Sequence, residues 1–286
     1  MTHVDIGGLK LGLRTWGEGD VPVVFIHGNL ASKDWIELAA PLFPPGLKTI
    51  GIDWRGCGDS DRPAADADFA NYSIAQHAAD MIAALDALGI SFCHLATHST
   101  GGIIAARMLL AQPERFGRVL HLDPVAPRSI VLPEQAIKGF AAMKAHKAAT
   151  RAGMAWAASS LFVPESLTSP EGPQLVADAG ARGVLFEKIV DQTFSVSDGI
   201  WSGTPVGLER EFKLGELAAR MGEMRQPQLI LWGEQDVILT LADAQDMCAG
   251  LPECRLELLP GIGHSANLEA PELYAKAFGD WFLAGR

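Results

Sequence analysis

The chain alternates short apolar runs with longer stretches of helical period. "VPVVFIH" (21–27) and "LKTIGID" (47–53) are nearly continuous apolar runs, as strands covered on both faces are. "FCHLAT" (92–97), "VLHLDPV" (119–125), "PQLILWG" (227–233) and "RLELLPG" (255–261) read as further strands. Between them, "IAQHAADMIAALDALGI" (74–90) sets Ile74, Ala78, Ile82, Leu85 and Leu88 on one helical side. "TGGIIAARMLLAQ" (100–112) predicts a helix that stops before Pro113. Further helices are predicted near 240–250 and over 271–285. Strands and helices alternating at this spacing imply βαβ units, hence an α/β fold with a mainly parallel sheet.

The alternation breaks over 128–212. "QAIKGFAAMKAHKAATRAGMAWAASSLF" (135–162) is helical, and no clear strand follows it. This stretch reads as a helical insertion into a core made of 1–127 and 213–286. Its large apolar residues, among them Phe140, Met143, Met154, Trp156, Phe162 and Trp201, need a surface to pack on. A cap over the carboxyl edge of the sheet supplies one.

Composition narrows the class. Of the 286 residues 48% are hydrophobic and 20% charged, which is globular rather than disordered. The formal net charge of -11 argues against nucleic acid or an anionic membrane surface as the main partner. Cys57, Cys93, Cys248 and Cys254 lack metal or redox spacing. The first residues, "MTHVDIGGLKLGLRTW", lack a signal-peptide pattern. No apolar run reaches the roughly 18 residues of a membrane span. The expectation is a cytoplasmic monomer or homodimer with reduced thiols, acting on a small molecule.

Four stretches carry candidate chemistry. In "LATHSTGGI" (95–103), Ser99 lies where a strand turns into a helix. The helix directs free N–H groups and its positive dipole end at this corner. Ser99 reads as a nucleophile on that turn or as a helix-capping serine. Thr97 stands where the G-x-S-x-G pattern has its first Gly, and a β-branched residue packs less easily there. "HGNLASKDW" (27–35) offers a turn whose N–H groups can face inward. The N–H of Asn29 or Leu30, with that of Thr100, could hold an oxyanion. In "GIGHSANLEAPE" (261–272), His264 lies on a loop after the last strand, where α/β proteins place function. The acid to orient it is Asp236 in "LILWGEQDVI" (229–238), favoured by the chain order Ser…Asp…His. Asp123 in "HLDPVAP" is its rival. His98, beside the serine, is read as turning its side chain away. It joins Met143, Met154, Trp156, Phe162 and Trp201 as a candidate lining residue for a substrate pocket.

Together "HGN" (27–29), "DWRGCGDSDRP" (53–63), "HSTGG" (98–102), "WGEQD" (232–236) and "GIGHSANLEAPE" (261–272) resemble the α/β-hydrolase fold family. The spaced set is far more specific than any one motif, and it leaves the insertion unmatched. The resemblance implies an eight-stranded, mostly parallel sheet with a helical cap after strand six. It implies a triad of Ser99, Asp236 and His264, an oxyanion hole from Asn29 or Leu30 with Thr100, and no metal or organic cofactor. Haloalkane dehalogenases and epoxide hydrolases of this family carry Asp where this chain has Ser99, which disfavours both. Ester, lactone, amide, thioester or carbon–carbon bond hydrolysis remains, with a small or medium apolar ester or lactone preferred. A carbon–carbon hydrolase would need a cation for its substrate's carboxylate, from Lys144, Lys147, Arg151, Arg182 or Lys188. An acyltransferase and a non-catalytic ligand receptor are the other readings of the same fold.

Overall fold

The computed structural model describes residues 2–284. Eight strands form one sheet: β1 (Thr2–Asp5), β2 (Lys10–Trp16), β3 (Val21–Ile26), β4 (Leu47–Ile52), β5 (Cys93–His98), β6 (Phe116–Leu122), β7 (Gln228–Gly233) and β8 (Cys254–Leu259). Their order is β1-β2-β4-β3-β5-β6-β7-β8. β3 to β8 pair in parallel, and β2 pairs antiparallel with β1 and β4. Val23, Val24, Phe25 and Ile26 of β3 and Leu95 and Ala96 of β5 are wholly buried, as centre strands covered on both faces must be.

The hydrophobic pattern does not reveal β1 and β2. They form an edge hairpin with mixed exposure, so no apolar run marks them. Gly7 and Gly8, at φ 84° and 95°, make the turn between them.

α1 (Ile74–Ala87) and α2 (Gly101–Ala111) cross between parallel strands. Between β6 and β7 the chain runs through α3 (Glu134–Ala145), α4 (Lys147–Trp156), α5 (Gly180–Phe194), α6 (Asp198–Leu214) and the single turn α7 (Glu216–Ala219). α8 (Leu241–Gly250) precedes β8, and α9 (Ala266–Glu269) and α10 (Pro271–Phe282) follow it. The helical stretch expected over 135–162 is two helices, broken at His146, whose backbone is extended (φ -140°, ψ 117°). α3 and α4 then pack closely: a Cβ on Gly153 would lie 2.5 Å from Met143 Sδ.

The inserted helices are fastened to the loops at the carboxyl ends of the strands. Thr193 Oγ1 of α5 donates to Leu30 O at 2.6 Å. Gln192 accepts from Ser32 Oγ and donates to Asp34. Ser160 and Arg182 bond to Glu269. No helix among the described residues is long and apolar enough to cross a membrane.

Candidate active site

β5 ends in a sharp corner. Ser99 has φ 52°, a left-handed conformation rare for a residue with a side chain. Its backbone is held there from both sides: its N–H donates to Leu122 O, and its carbonyl accepts from Gly102 and Val125. The neighbouring glycines are needed for space. A Cβ on Gly28 would lie 2.9 Å from Ser99 Cβ, and one on Gly101 would lie 2.2 Å from Ile26 O. The capping alternative has no bond behind it, because α2 starts without a side-chain cap.

Thr97 is accommodated by its neighbours rather than by the turn. It is fully buried, and its Oγ1 lies 2.8 Å from His121 Nδ1. His121 Nε2 lies 2.9 Å from Gln228 Oε1, an acceptor, so Nε2 carries the ring proton and Nδ1 accepts from Thr97. Burial lowers the His121 pKa to about 4, which keeps the ring neutral. Thr97→Val keeps the shape and leaves His121 Nδ1 buried without a donor. We expect it to cost about 1–3 kcal/mol in urea unfolding, with turnover per folded molecule unchanged.

His264 and Asp236 meet across two loops. His264 Nδ1 lies 2.7 Å from Asp236 Oδ2, and both side chains are almost wholly buried. Asp236 Oδ1 accepts the N–H groups of Ile238 and Leu239, which orients the carboxylate. The His264 loop is clamped by a residue the sequence does not single out. The Glu269 carboxylate accepts the N–H groups of Gly263 and Ser265, on either side of His264, and that of Ser160 from the insertion.

His98 Nε2 donates to the backbone carbonyl of His264 at 2.9 Å, which turns the ring toward the histidine loop. Burial, with the His264 ring nearby, holds the His98 pKa well below the usual imidazole range. His98 therefore stays neutral and adds no charge to the site. His27, below the oxyanion turn, is likewise lowered to about 3, chiefly by burial.

These groups open on one cavity of about 150 Å³. Ser99, His264, His98, Asn29, Leu30 and Thr100 line its polar end. Among the described residues, no acceptor takes the backbone N–H of Asn29, Leu30 or Thr100. Leu30 sits at φ 55°, which shapes the turn presenting these amides. The other walls are apolar and include Trp35, Phe140, Met143, Met154, Ile238 and Leu239.

Three of the expected lining residues lie elsewhere. Phe162 packs into the insertion's own core, 4.9 Å from the Phe186 ring and under the Arg151 guanidinium. Trp201 lies behind Phe140, edge-on at 6.5 Å, and faces an outer groove. Trp156, at the end of α4, does not reach the cavity wall. Helical period says that such residues are buried but not which face meets the sheet, so size alone misplaces them. Phe140, which the sequence marks only as a residue in need of packing, lines the cavity, as do Trp35 and Ile238, for which the pattern gives no signal of position.

Asp123, the rival acid, bonds the N–H of Gly233 through Oδ1 and makes no hydrogen bond to His264. Asp123, Asp236 and His264 bring one donor atom each within 4.8 Å of one another. His264 and Asp236 are already bonded to each other in this cluster.

Parallel strands whose carboxyl ends present a strained serine, a paired histidine and free amides define an α/β enzyme of the hydrolase type. The sequence model of the alpha/beta hydrolase fold family matches residues 21–271, and the chain belongs to that family. It is similar to a protein of Variovorax paradoxus named "Putative carbamate hydrolase RutD", 26% identical over 280 residues, 96% of this chain and 97% of that one. It is 22% identical over 283 residues to 2-hydroxy-6-oxo-6-phenylhexa-2,4-dienoate hydrolase of Burkholderia cepacia, covering 98% and 93% of the two chains. Among solved structures, the N-acyl homoserine lactone degrading enzyme Est816 superposes with a TM-score of 0.73 at 25% identity, over 97% of this chain and 98% of that one.

Proposed function

We propose that the protein is a serine hydrolase that cleaves a small or medium apolar carboxylic ester or lactone through an acyl-enzyme. One observation carries this reading: Ser99 stands on a left-handed corner and shares a cavity with the Asp236-bonded His264 and three free amides. In this mechanism His264 Nε2 takes the hydroxyl proton as Ser99 Oγ attacks the carbonyl carbon. The N–H groups of Thr100 and of Asn29 or Leu30 hold the tetrahedral oxyanion. His264 returns the proton to the leaving alkoxide, which departs and leaves an acyl group on Ser99. Water, deprotonated by His264, then attacks the acyl carbonyl and releases the acid. Asp236 keeps the Nδ1–H tautomer and stabilises the imidazolium that forms at each transfer.

The walls favour an apolar, uncharged substrate. Among the described residues, no lysine or arginine lines the cavity. Lys144, Lys147, Arg151, Arg182 and Lys188 are each engaged with Asp198, Asp191, Glu187, Glu269 or Asp178, and Asp34 with Glu37. A carbon–carbon hydrolase acting on a carboxylate-bearing diketone would lack the cation it needs. The ester-or-lactone reading also agrees with the similarity to the lactone-degrading Est816.

Size sets a further limit. A cavity near 150 Å³ holds a group of about benzene size, whereas ligand pockets commonly run about 300–1,000 Å³. Phe140 also lines the outer groove of about 430 Å³, with Phe69, Ile137, Trp201 and Val206. The Phe140 ring therefore divides the inner chamber from space that a longer chain could use. Phe140→Ala is expected to raise kcat/KM for p-nitrophenyl octanoate about tenfold relative to the butyrate. An unchanged ratio would place the chain-length limit elsewhere.

The direct test of the function is labelling with a fluorophosphonate followed by intact-mass and peptide analysis. A single adduct on Ser99, with turnover in an ester and lactone panel, is the expected result. Labelling without turnover of any panel member, by water or by an added alcohol, would favour a ligand receptor. Product that appears only with an alcohol acceptor would favour an acyltransferase.

A further inference from the structure

The mechanism leaves Asp123 without a task, yet it is the most unusually placed acid in the molecule. It follows β6 with φ 41°, in the left-handed region, and its side chain is wholly buried. Oδ1 accepts the Gly233 N–H at 2.8 Å. Oδ2 is buried with no partner among the described residues. Its surroundings are acidic: Asp236 on the loop after β7, and Glu269 on α9. His264 completes the cluster, within 4.8 Å of both aspartates. Among the described residues, no lysine or arginine pairs with Asp123 or Asp236.

Two carboxylates within 4.8 Å of each other and buried from solvent disfavour each other's ionisation. Which one keeps a proton is decided by their donors. Asp236 accepts three hydrogen bonds, from His264 Nδ1 and from the amides of Ile238 and Leu239. Asp123 accepts from a single amide. Burial pushes the Asp123 carboxyl well above the usual range, and the Asp236 charge pushes it further; the Gly233 bond offsets only part of this. A neutral Asp123 has one O–H to place, on the oxygen that otherwise has no partner, and the Asp236 carboxylate lies within 4.8 Å.

We propose that Asp123 is a neutral carboxylic acid in the working enzyme and donates its Oδ2–H to Asp236. It is a positioning residue, acting on His264 through Asp236. The added donor fixes the Asp236 carboxylate and draws charge from it, which moderates its pull on the imidazole. The proposal rests on the reading of Ser99, Asp236 and His264 as a triad, but the protonation of Asp123 can be read without any substrate.

The experiment is infrared difference spectroscopy of wild type against Asp123→Asn at pH 7, with melting temperatures checked. A protonated-carboxyl band in the wild type that vanishes in the variant is the expected result. Loss of carboxylate bands alone would show an ionised Asp123 and overturn the proposal, whatever the enzyme's activity. Asp236→Asn supplies a second reading on the Asp123 side chain itself. With the neighbouring charge gone, the Asp123 band must titrate at lower pH, and an unmoved titration would show that the two carboxyls do not interact.

The kinetic arm separates a positioning role from a structural one. In Asp123→Asn the amide keeps an acceptor for Gly233 and an N–H for Asp236, so the acid limb of the kcat/KM profile stays in place. Removing an ionised aspartate would instead drop that limb by about one pH unit or more. Asp123→Ala loses the donor, so Asp236 pulls harder on His264 and the limb moves to higher pH. An Asp123→Ala limb that does not move would leave Asp123 with a packing role only. Fluorophosphonate labelling of the wild type in the same series shows separately whether Ser99 is activated.

Discussion

Ser99→Ala should lower hydrolysis of a short p-nitrophenyl ester by about 10⁴-fold or more, without lowering the melting temperature. The expectation follows from what the substitution removes and what it spares. Under the proposed mechanism it removes the hydroxyl that forms the acyl bond. It spares the corner itself, because the bonds that hold residue 99 at φ 52° come from its backbone. It also spares the three free amides and the His264–Asp236 pair. Residual activity would reflect binding and oxyanion stabilisation alone, which retain a fraction of catalysis when a nucleophile is lost. The measurement is steady-state kinetics on purified protein, with the fluorophosphonate adduct as a parallel readout. Near-full activity in the variant would remove the serine-hydrolase reading altogether.

Asp236→Asn is expected to cost about 10³–10⁴-fold in kcat, with KM little changed. An amide in place of the carboxylate can present N–H to His264 Nδ1 and favour the wrong tautomer. It also removes the charge that stabilises the imidazolium. The same substitution at Asp123 is expected to cost far less, since a neutral acid and an amide are alike in charge and nearly alike in shape. The ratio of the two losses therefore identifies the orienting acid. A larger loss at Asp123 than at Asp236 would transfer the role to the strand-six position, despite the 2.7 Å contact of Asp236 with His264.

Much of this site was legible before any coordinates. Ser99 and Asp236 each follow a buried apolar strand, whose end is marked by where the apolar run stops, whereas His264 follows the half-exposed edge strand β8. The free amides of Asn29, Leu30 and Thr100 follow from a Gly-containing turn after one strand and a helix start after another. Such signals are local, so the chain carries them without reference to its partners. β1 and β2 were illegible as a pattern because an exposed edge hairpin needs no continuous apolar run. The cap-lining residues were half legible. Met143 and Met154 line the cavity, while Phe162 and Trp201 pack elsewhere, since burial by size is common to both fates.

The sequence by itself determined the α/β alternation, the family motifs and the identity of the groups on the strand-end loops. Only the tertiary structure decided what those groups touch. Thr97 is unremarkable at its turn because His121 on the adjacent β6 takes its hydroxyl and is itself held by Gln228 on β7. Glu269 clamps the histidine loop through amides it meets only when α9 folds back. Asp123 comes to face Asp236 because parallel pairing puts the ends of β6 and β7 side by side. Residues 113 positions apart in sequence reach one another through sheet register, a long-range property with no local periodicity to announce it.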